Sequence, residues 1–326
     1  MRLRAMLWML LGLFALPLHA AAMKVALSQP SVSPDGSRIA FVANGGIWSV
    51  ASQGGQAHLL VADDDGNDSR PLYSPDGKQL AFQSDGGGEA SGIYLLDLAS
   101  GVVRRLTWAD GGNQLDAWSR DGQWIYFSSA RDNVGGMAGV YRVRASGGTP
   151  MPVSLERYRN ESMAAPSPDG MSLAVVGGGM GDWQWWRHGR SHIDEGAVWL
   201  LRDDGSHQYR RLTADDARAE WPMWAADGNT LYYMSDRSGA ENIWRVPLGG
   251  GSESALTRFA DGRVLWPSLA ANGKLLAFER DFGIWTLDPA SGHAAPLTIT
   301  LAGAIRGPQP EHENLSHGYS QIALSP

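Results

Sequence analysis

The sequence predicts an all-β fold, a six-bladed β-propeller made of four-stranded antiparallel blades. Three observations carry that expectation. First, Ser33-Pro34-Asp35-Gly36, with Ile39-Ala40-Phe41 behind it, returns as Ser74-Pro75-Asp76-Gly77 before Leu80-Ala81-Phe82 and as Ser167-Pro168-Asp169-Gly170 before Leu173-Ala174-Val175. Looser copies are Ser119-Arg120-Asp121-Gly122, Ala225-Ala226-Asp227-Gly228 and Ala270-Ala271-Asn272-Gly273. Second, the Asp or Asn of the six copies falls at 35, 76, 121, 169, 227 and 272, at intervals of 41, 45, 48, 58 and 45 residues. That is the period of one four-stranded blade per repeat. Third, the turn chemistry suits a tight hairpin, because Gly takes positive φ at no steric cost and Asp or Asn tolerates it.

Each repeat reads as four strands, A to D. In the first, strand A is expected over 29–33, B over 37–43, C over 46–50 and D over 57–61. The alternation of Ile39 and Phe41 fits a strand buried on both sides by neighbouring blades. Strand C recurs as Gly92-Ile93-Tyr94-Leu95, Val140-Tyr141-Arg142-Val143, Val198-Trp199-Leu200-Leu201, Asn242-Ile243-Trp244-Arg245 and Gly283-Ile284-Trp285-Thr286. Its aromatic is assigned to packing rather than to ligand stacking. Gly54-Gly55 and Gly147-Gly148 read as C–D turns. Pro30, Pro71, Pro222 and Pro267 lie five residues before the turn Asp or Asn. Proline lacks a donor, so these are expected where strand A starts.

Six repeats use most of the 326 residues, so the length does not call for a second domain. Residues 1–22 read as a separate object, 23–301 as the propeller and 302–326 as a tail. Arg2 and Arg4 form a positive n-region, 6–18 is an apolar run, and Ala20-Ala21-Ala22 offers small residues for cleavage. This is the pattern of a secretory signal peptide, short for a membrane span; an uncleaved anchor is the alternative. The expected location is the periplasm, with no membrane attachment beyond the signal. Cleavage moves the formal charge from −7 to about −9. An acidic chain without a basic run argues against nucleic acid or an anionic membrane as partner. The absence of cysteine excludes disulfides, thiol catalysis and lipid attachment through a cysteine.

The repeated S-P-D-G turns, the Gly283-Ile284-Trp285 type of strand C and strands D such as Arg104-Arg105-Leu106-Thr107 and Arg210-Arg211-Leu212-Thr213 resemble the WD-like propeller repeats of the TolB and tricorn protease group. The resemblance covers about residues 25–301 and is specific for architecture. The aromatic and basic insertion Trp183-Gln184-Trp185-Trp186-Arg187-His188-Gly189-Arg190 resembles a segment of bacterial tricorn-like propellers, as does the tail from Ile305. TolB itself has a separate N-terminal domain, and only a few residues here separate the signal from the first repeat. The resemblance therefore implies the N-terminal propeller of a tricorn-like peptidase, filtering peptides toward a catalytic domain elsewhere. A self-standing TolB-like interaction scaffold and the propeller of an amidohydrolase-type enzyme are the alternatives. Ile322-Ala323-Leu324-Ser325-Pro326 reads either as the opening of a severed seventh hairpin, with the chain a fragment, or as part of a closing strand over 320–325.

The insertion over 177–196 accounts for the 58-residue interval, and long departures from a repeat map to loops on one face. Trp183, Trp185 and Trp186 with Arg187 and Arg190 are the candidate ligand-binding residues. Stacking and guanidinium–carboxylate contacts suit an extended peptide or a protein ligand. The competing assignment is that the tryptophans seal the loop onto its own blade. The run Asp63-Asp64-Asp65-Gly66-Asn67-Asp68 lacks the spacing of a helical calcium loop. His188 and His192 have no third ligand placed beside them. No serine lies in a nucleophile elbow, so no catalytic residue, metal site or cofactor is expected in the chain.

Overall fold

The structure is a computed structural model, and it describes residues 25–62, 67–86, 91–108, 112–154, 158–178, 196–214 and 217–301. Blade 1 comprises β1 (Ser28–Val32), β2 (Arg38–Ala43), β3 (Gly46–Ala51) and β4 (Gly55–Val61). Blade 2 comprises β5 (Asp68–Tyr73), β6 (Gln79–Ser84), β7 (Gly92–Asp97) and β8 (Val103–Arg105). Blade 3 comprises β9 (Asn113–Trp118), β10 (Trp124–Ser129), β11 (Gly139–Arg144) and β12 (Met151–Pro152). Blade 4 comprises β13 (Glu161–Pro166), β14 (Ser172–Gly177), β15 (Ala197–Arg202) and β16 (Tyr209–Arg211). Blade 5 comprises β17 (Ala219–Trp224), β18 (Thr230–Ser235), β19 (Asn242–Pro247) and β20 (Ser254–Ala255). Blade 6 comprises β21 (Leu265–Leu269), β22 (Leu276–Arg280), β23 (Gly283–Leu287) and β24 (Ala294–Pro296). The described residues form an all-β, six-bladed propeller of antiparallel four-stranded sheets, as the repeat implies. Beyond blade 6, β25 (Ile299–Leu301) runs parallel to β4 as a fifth strand of blade 1.

The second strand of each blade explains the repeated apolar triplet. Period-2 alternation sends Ile39 and Phe41 into the seam with blade 6, beside Ala270, Ala277 and Ile284. Ala40 faces the other way, into the seam with blade 2, where Leu80 and Phe82 fill the space. The same division places Ala81 opposite Ile125 and Phe127, and Ala174 opposite Leu231 and Tyr233. Each blade thus presents large side chains to the preceding blade and, most often, an alanine to the following one. Full burial of one such Phe contributes roughly 1.5–3 kcal/mol. Six hydrophobic clusters result, one at each seam of the ring.

The strand-C aromatics are packing residues, in agreement with their sequence assignment. Five of them lie under an arginine: Tyr94 under Arg105, Tyr141 under Arg131, Trp199 under Arg159, Trp244 under Arg237 and Trp285 under Arg280, at 4.4–5.8 Å from ring centroid to guanidinium. Each contact contributes about 0.5–2 kcal/mol, depending on desolvation. In blade 1 Trp48 instead donates its Nε1–H to Ala43 O at 3.0 Å.

Two expectations from the sequence are corrected. In the turns, Gly36, Gly77, Gly122, Gly170, Gly228 and Gly273 take positive φ, but the preceding Asp or Asn does not. The acidic residue works through its side chain: Asp35 accepts the Ser33 hydroxyl at 2.6 Å and the Ser37 N–H at 3.0 Å. Equivalent bonds run from Ser74 to Asp76, Ser119 to Asp121 and Ser167 to Asp169. The prolines, in turn, are not at the start of the inner strands. Pro30, Pro71, Pro222 and Pro267 lie inside them, at a β-bulge where the register slips. A bulge leaves a residue outside the ladder, so the missing N–H costs nothing there.

Among the described residues the four antiparallel strands of blade 1 and those of blade 6 each come from one continuous stretch of chain, and hydrogen bonds join the two blades where the ring closes. Leu27 N–H donates to Phe282 O at 3.0 Å, Val32 N–H to Ser268 Oγ at 3.0 Å, and Asn272 Nδ2 to Asp35 O at 2.7 Å. The proposed closing segment 320–325 lies outside the described residues. On the outer side, Gly55 N–H donates to Thr298 O at 2.9 Å, where β25 docks. Gly54, at φ +89°, leaves no room for a side chain: a Cβ there would stand 2.4 Å from Thr298 O. Gly147 occupies the same C–D turn of blade 3 at φ +101° and faces open space. Gly147→Ala is therefore expected to cost about 1 kcal/mol for the left-handed backbone alone. Gly54→Ala should cost at least about 1 kcal/mol more, because β25 must shift. Urea unfolding of the two variants measures the difference, and equal midpoints would show that β25 does not brace the ring.

Candidate functional site

The bulge that displaces the prolines also builds the centre of the ring. Just before it, Gln29, Arg70, Met163, Trp221 and Trp266 take left-handed backbone, with φ between 51° and 56°. These are equivalent positions, six residues before the turn Asp or Asn. A non-glycine residue held there carries roughly 1–3 kcal/mol of strain, so the surrounding contacts must hold it in place. Blade 3 is the exception, with its irregularity around Asp116 instead.

The contacts are on the axis itself. The Arg70 guanidinium from blade 2 reaches the opposite blade 5 and lies 5.0 Å from the Trp221 ring centroid. It lies 4.5 Å from that of Trp266, and the two indoles stand 4.4 Å apart. Arg70 Nε donates to Leu115 O at 3.1 Å, and its backbone N–H to Gln29 Oε1 at 2.5 Å. Arg70, Met163 and Trp221 are 8%, 3% and 4% exposed. Side chains from opposite blades therefore meet across the axis and obstruct it.

On the side of the A–B turns, the obstruction leaves a cavity of about 240 Å³. Its inner end is formed by Arg70, Met163 and Trp221, its walls include Trp118, Trp224 and Asp116, and its mouth is ringed by Pro34, Pro75, Arg120, Pro168 and Ala271. The wall indoles are fixed: Trp118 Nε1–H donates to Leu72 O at 3.1 Å and Trp224 Nε1–H to Ala165 O at 2.8 Å. Asp116 is buried and accepts the Ser128 hydroxyl. Around the mouth stand the turn aspartates. The Ser33 hydroxyl first, then the N–H and hydroxyl of Ser37, draw the Asp35 carboxyl down to about 2. Asp76, Asp121 and Asp169 are lowered for the same reason, with the serine two residues earlier the largest cause.

The opposite face, where B–C and D–A connections emerge, is lined by buried charges. Glu241, fully buried, accepts Val264 N–H at 2.8 Å and Arg263 Nε at 3.1 Å, with Arg218 Nη1 at 3.9 Å. Arg218 also pairs with Glu220 at 2.8 Å. Burial pushes the Glu241 carboxyl up, against the pull of Arg263 and Arg218. Burial likewise raises Glu279, which accepts from Ser28 and Gln29 across the closing seam. Arg218 and Arg263 stand within ion-pair distance of Glu220 and Glu241, and such pairing is the condition for burying either charge. Among the described residues no group of three or more His, Asp or Glu is arranged to hold a metal.

The candidate ligand residues Trp183, Trp185, Trp186, Arg187 and Arg190 lie outside the described residues, as do most of the Asp63–Asp68 run and the His188–His192 pair. The axial residues escaped the sequence analysis. A signal for them is present, since four of the five stand immediately before a repeated proline, but a proline at a strand start accounts for that slot equally well.

Comparison with known proteins places this architecture. The family described as the tricorn protease N-terminal beta propeller domain matches residues 24–293. The chain belongs to this family. It is 28% identical over 83% of its length to tricorn protease homolog 1 of Streptomyces coelicolor, covering 24% of that protein. It is 23% identical over 73% of its length to the tricorn protease homolog of Saccharolobus solfataricus, covering 21% of it. The chain thus spans about a quarter of the length of these curated relatives. Among solved structures, the crystal structure of the tricorn protease superposes with a TM-score of 0.68 at 18% identity, over 84% of this chain and 26% of that one. TolB from Acinetobacter baumannii gives 0.61 at 18% identity, over 83% and 62%. At these identities the structural likeness concerns the fold.

The turn aspartates give a pH test. A carboxyl lowered in the folded state stabilises the fold above its unfolded value of 3.8 and loses that contribution as pH falls through about 2. Ser33→Ala removes the largest cause, so the Asp35 carboxyl is expected to titrate closer to 3.8, followed by carboxyl-carbon NMR. An unchanged midpoint would mean that the Ser33 hydroxyl does not hold the turn.

Proposed function

We propose that the chain is an exported, non-catalytic propeller that binds and gates peptides as the N-terminal module of a tricorn-like periplasmic peptidase. The observation that carries this reading is the obstructed axis. A ring filled at its centre by Arg70, Trp221 and Trp266, with a cavity on one side, suits selection of what enters better than free passage. Membership of the tricorn N-terminal propeller family supports the attachment to a peptidase. The pattern of residues 1–22 supports export. The insertion carrying Trp183, Trp185, Trp186, Arg187 and Arg190 is proposed as the surface that holds extended peptide on the B–C face. Exposed aromatics on the same face, Trp108 at 69% and Tyr158 at 92%, favour as second reading a TolB-like scaffold for a folded partner.

Two outcomes are expected. The purified chain hydrolyses no peptide in a fluorogenic assay; turnover abolished by a serine-directed inhibitor would overturn the non-catalytic assignment. Trp185→Ala with Trp186→Ala should weaken peptide binding by calorimetry while shifting Tm by less than about 2 °C. A large loss of Tm would instead make those indoles packing residues.

A further inference from the structure

The axial cavity has one wall residue that breaks the pattern of its ring. At the slot before the turn Asp or Asn, five blades carry Pro34, Pro75, Pro168, Ala226 and Ala271, all small or cyclic and uncharged. Blade 3 carries Arg120. Its side chain is exposed, and its Nη2 points across the mouth to Ala271 O of the opposite blade at 3.4 Å. A hydrogen bond of that length to one neutral carbonyl leaves most of the guanidinium's capacity unused.

The surroundings decide what such a cation can take. The turn carboxylates around the mouth are turned to their own donors: Asp121 accepts Ser119 Oγ and Gln123 N–H, and Asp35 its two serines. Inside, the walls are mainly proline, tryptophan and aliphatic, with Tyr73 and Asp116 among them. The inner end is stopped by Trp221, Met163 and Arg70, whose guanidinium is already taken up by the Trp221 and Trp266 rings and Leu115 O. Asp116 on the wall disfavours a second anion in the interior. A ligand that satisfies the whole site therefore places an apolar group inward and keeps its negative charge at the mouth. The cavity is closed inward, so a chain cannot thread it; it can only lay its backbone across the mouth and insert one side chain.

We propose that this cavity is a binding site for an extended peptide in which a large apolar residue is followed by an acidic one. The apolar side chain fills the space between Trp118 and Trp224, and Arg120 leaves Ala271 O to form a bidentate pair with the neighbouring carboxylate. The site deepens the peptide-binding reading above and rests on it, but lies on the face opposite the tryptophan insertion.

The test is calorimetric titration of the full chain with the acetylated, amidated tetrapeptides Gly-Leu-Glu-Gly and Gly-Leu-Gln-Gly and with the free acid Gly-Gly-Leu. The Glu peptide is expected to bind at least about tenfold more tightly than the Gln peptide. Arg120→Pro restores the residue found at this slot in blades 1, 2 and 4, so the turn is kept; it should erase the difference between the two peptides. Ala271→Trp narrows the mouth and should abolish binding of both. Equal binding of the Glu and Gln peptides to the unaltered chain would overturn the proposal. Binding that neither variant alters would overturn this site and leave peptide binding elsewhere on the propeller standing. Binding of the free acid alone would assign the carboxylate to a chain end and overturn the acidic-side-chain requirement. If no peptide binds, this proposal falls, while the peptide-binding reading at the insertion stands or falls with the Trp185→Ala and Trp186→Ala calorimetry.

Discussion

A strained residue on the inner strand is the constraint from which the centre of this molecule follows. Five blades place one side chain in left-handed backbone next to a bulge. Bulging bends the strand and re-aims its side chains, and here the aim is the propeller axis. What reaches the axis is not neutral filling but Arg70 between the indoles of Trp221 and Trp266. A cation out of water needs partners, and two aromatic faces and the Leu115 carbonyl supply them. The same residues that offset the strain also close the ring's centre, so stability and obstruction have one origin.

Around that centre, the blades meet by a simple division of size. A large residue, an alanine and another large residue on strand B make blades 1, 2, 4 and 6 asymmetric, while blades 3 and 5 carry a tyrosine in the middle place. The first and last blades meet by the same rule, with Phe41 against Ala277. Hydrogen bonds from Leu27, Val32 and Asn272 then fix the register of that last seam. Arginines cover the strand-C aromatics of five blades towards the B–C face. The two faces consequently differ. One is rich in buried arginine–glutamate pairs, the other in prolines and hydrogen-bonded aspartates.

That difference bears on how a propeller of the tricorn N-terminal family works. Obstruction at the axis separates the faces, so a ligand on one side is not in continuity with the other. Arg120 of blade 3 is a departure from the repeat on the face of the A–B turns. A regular repeat supplies a scaffold, and function is sought in the copies that break it.

The sequence by itself determined the blade count, the strand order and the packing role of the strand-C aromatics. These depend on local turn chemistry and period-2 alternation, which a single chain displays directly. It also contained Arg120 and the prolines, without showing their use. Pro30 or Pro71 at a strand start and the same proline at a mid-strand bulge obey one rule, that no N–H is needed, and the sequence does not distinguish them. Only the tertiary structure decided that the residue before each proline turns left-handed, that Arg70 meets Trp221 from the opposite blade, and that Arg120 faces Ala271 across the mouth. Those pairs are separated by 151 residues each. Their meeting is set by closure of the ring, a constraint that acts on all six blades together and leaves no mark on any one repeat.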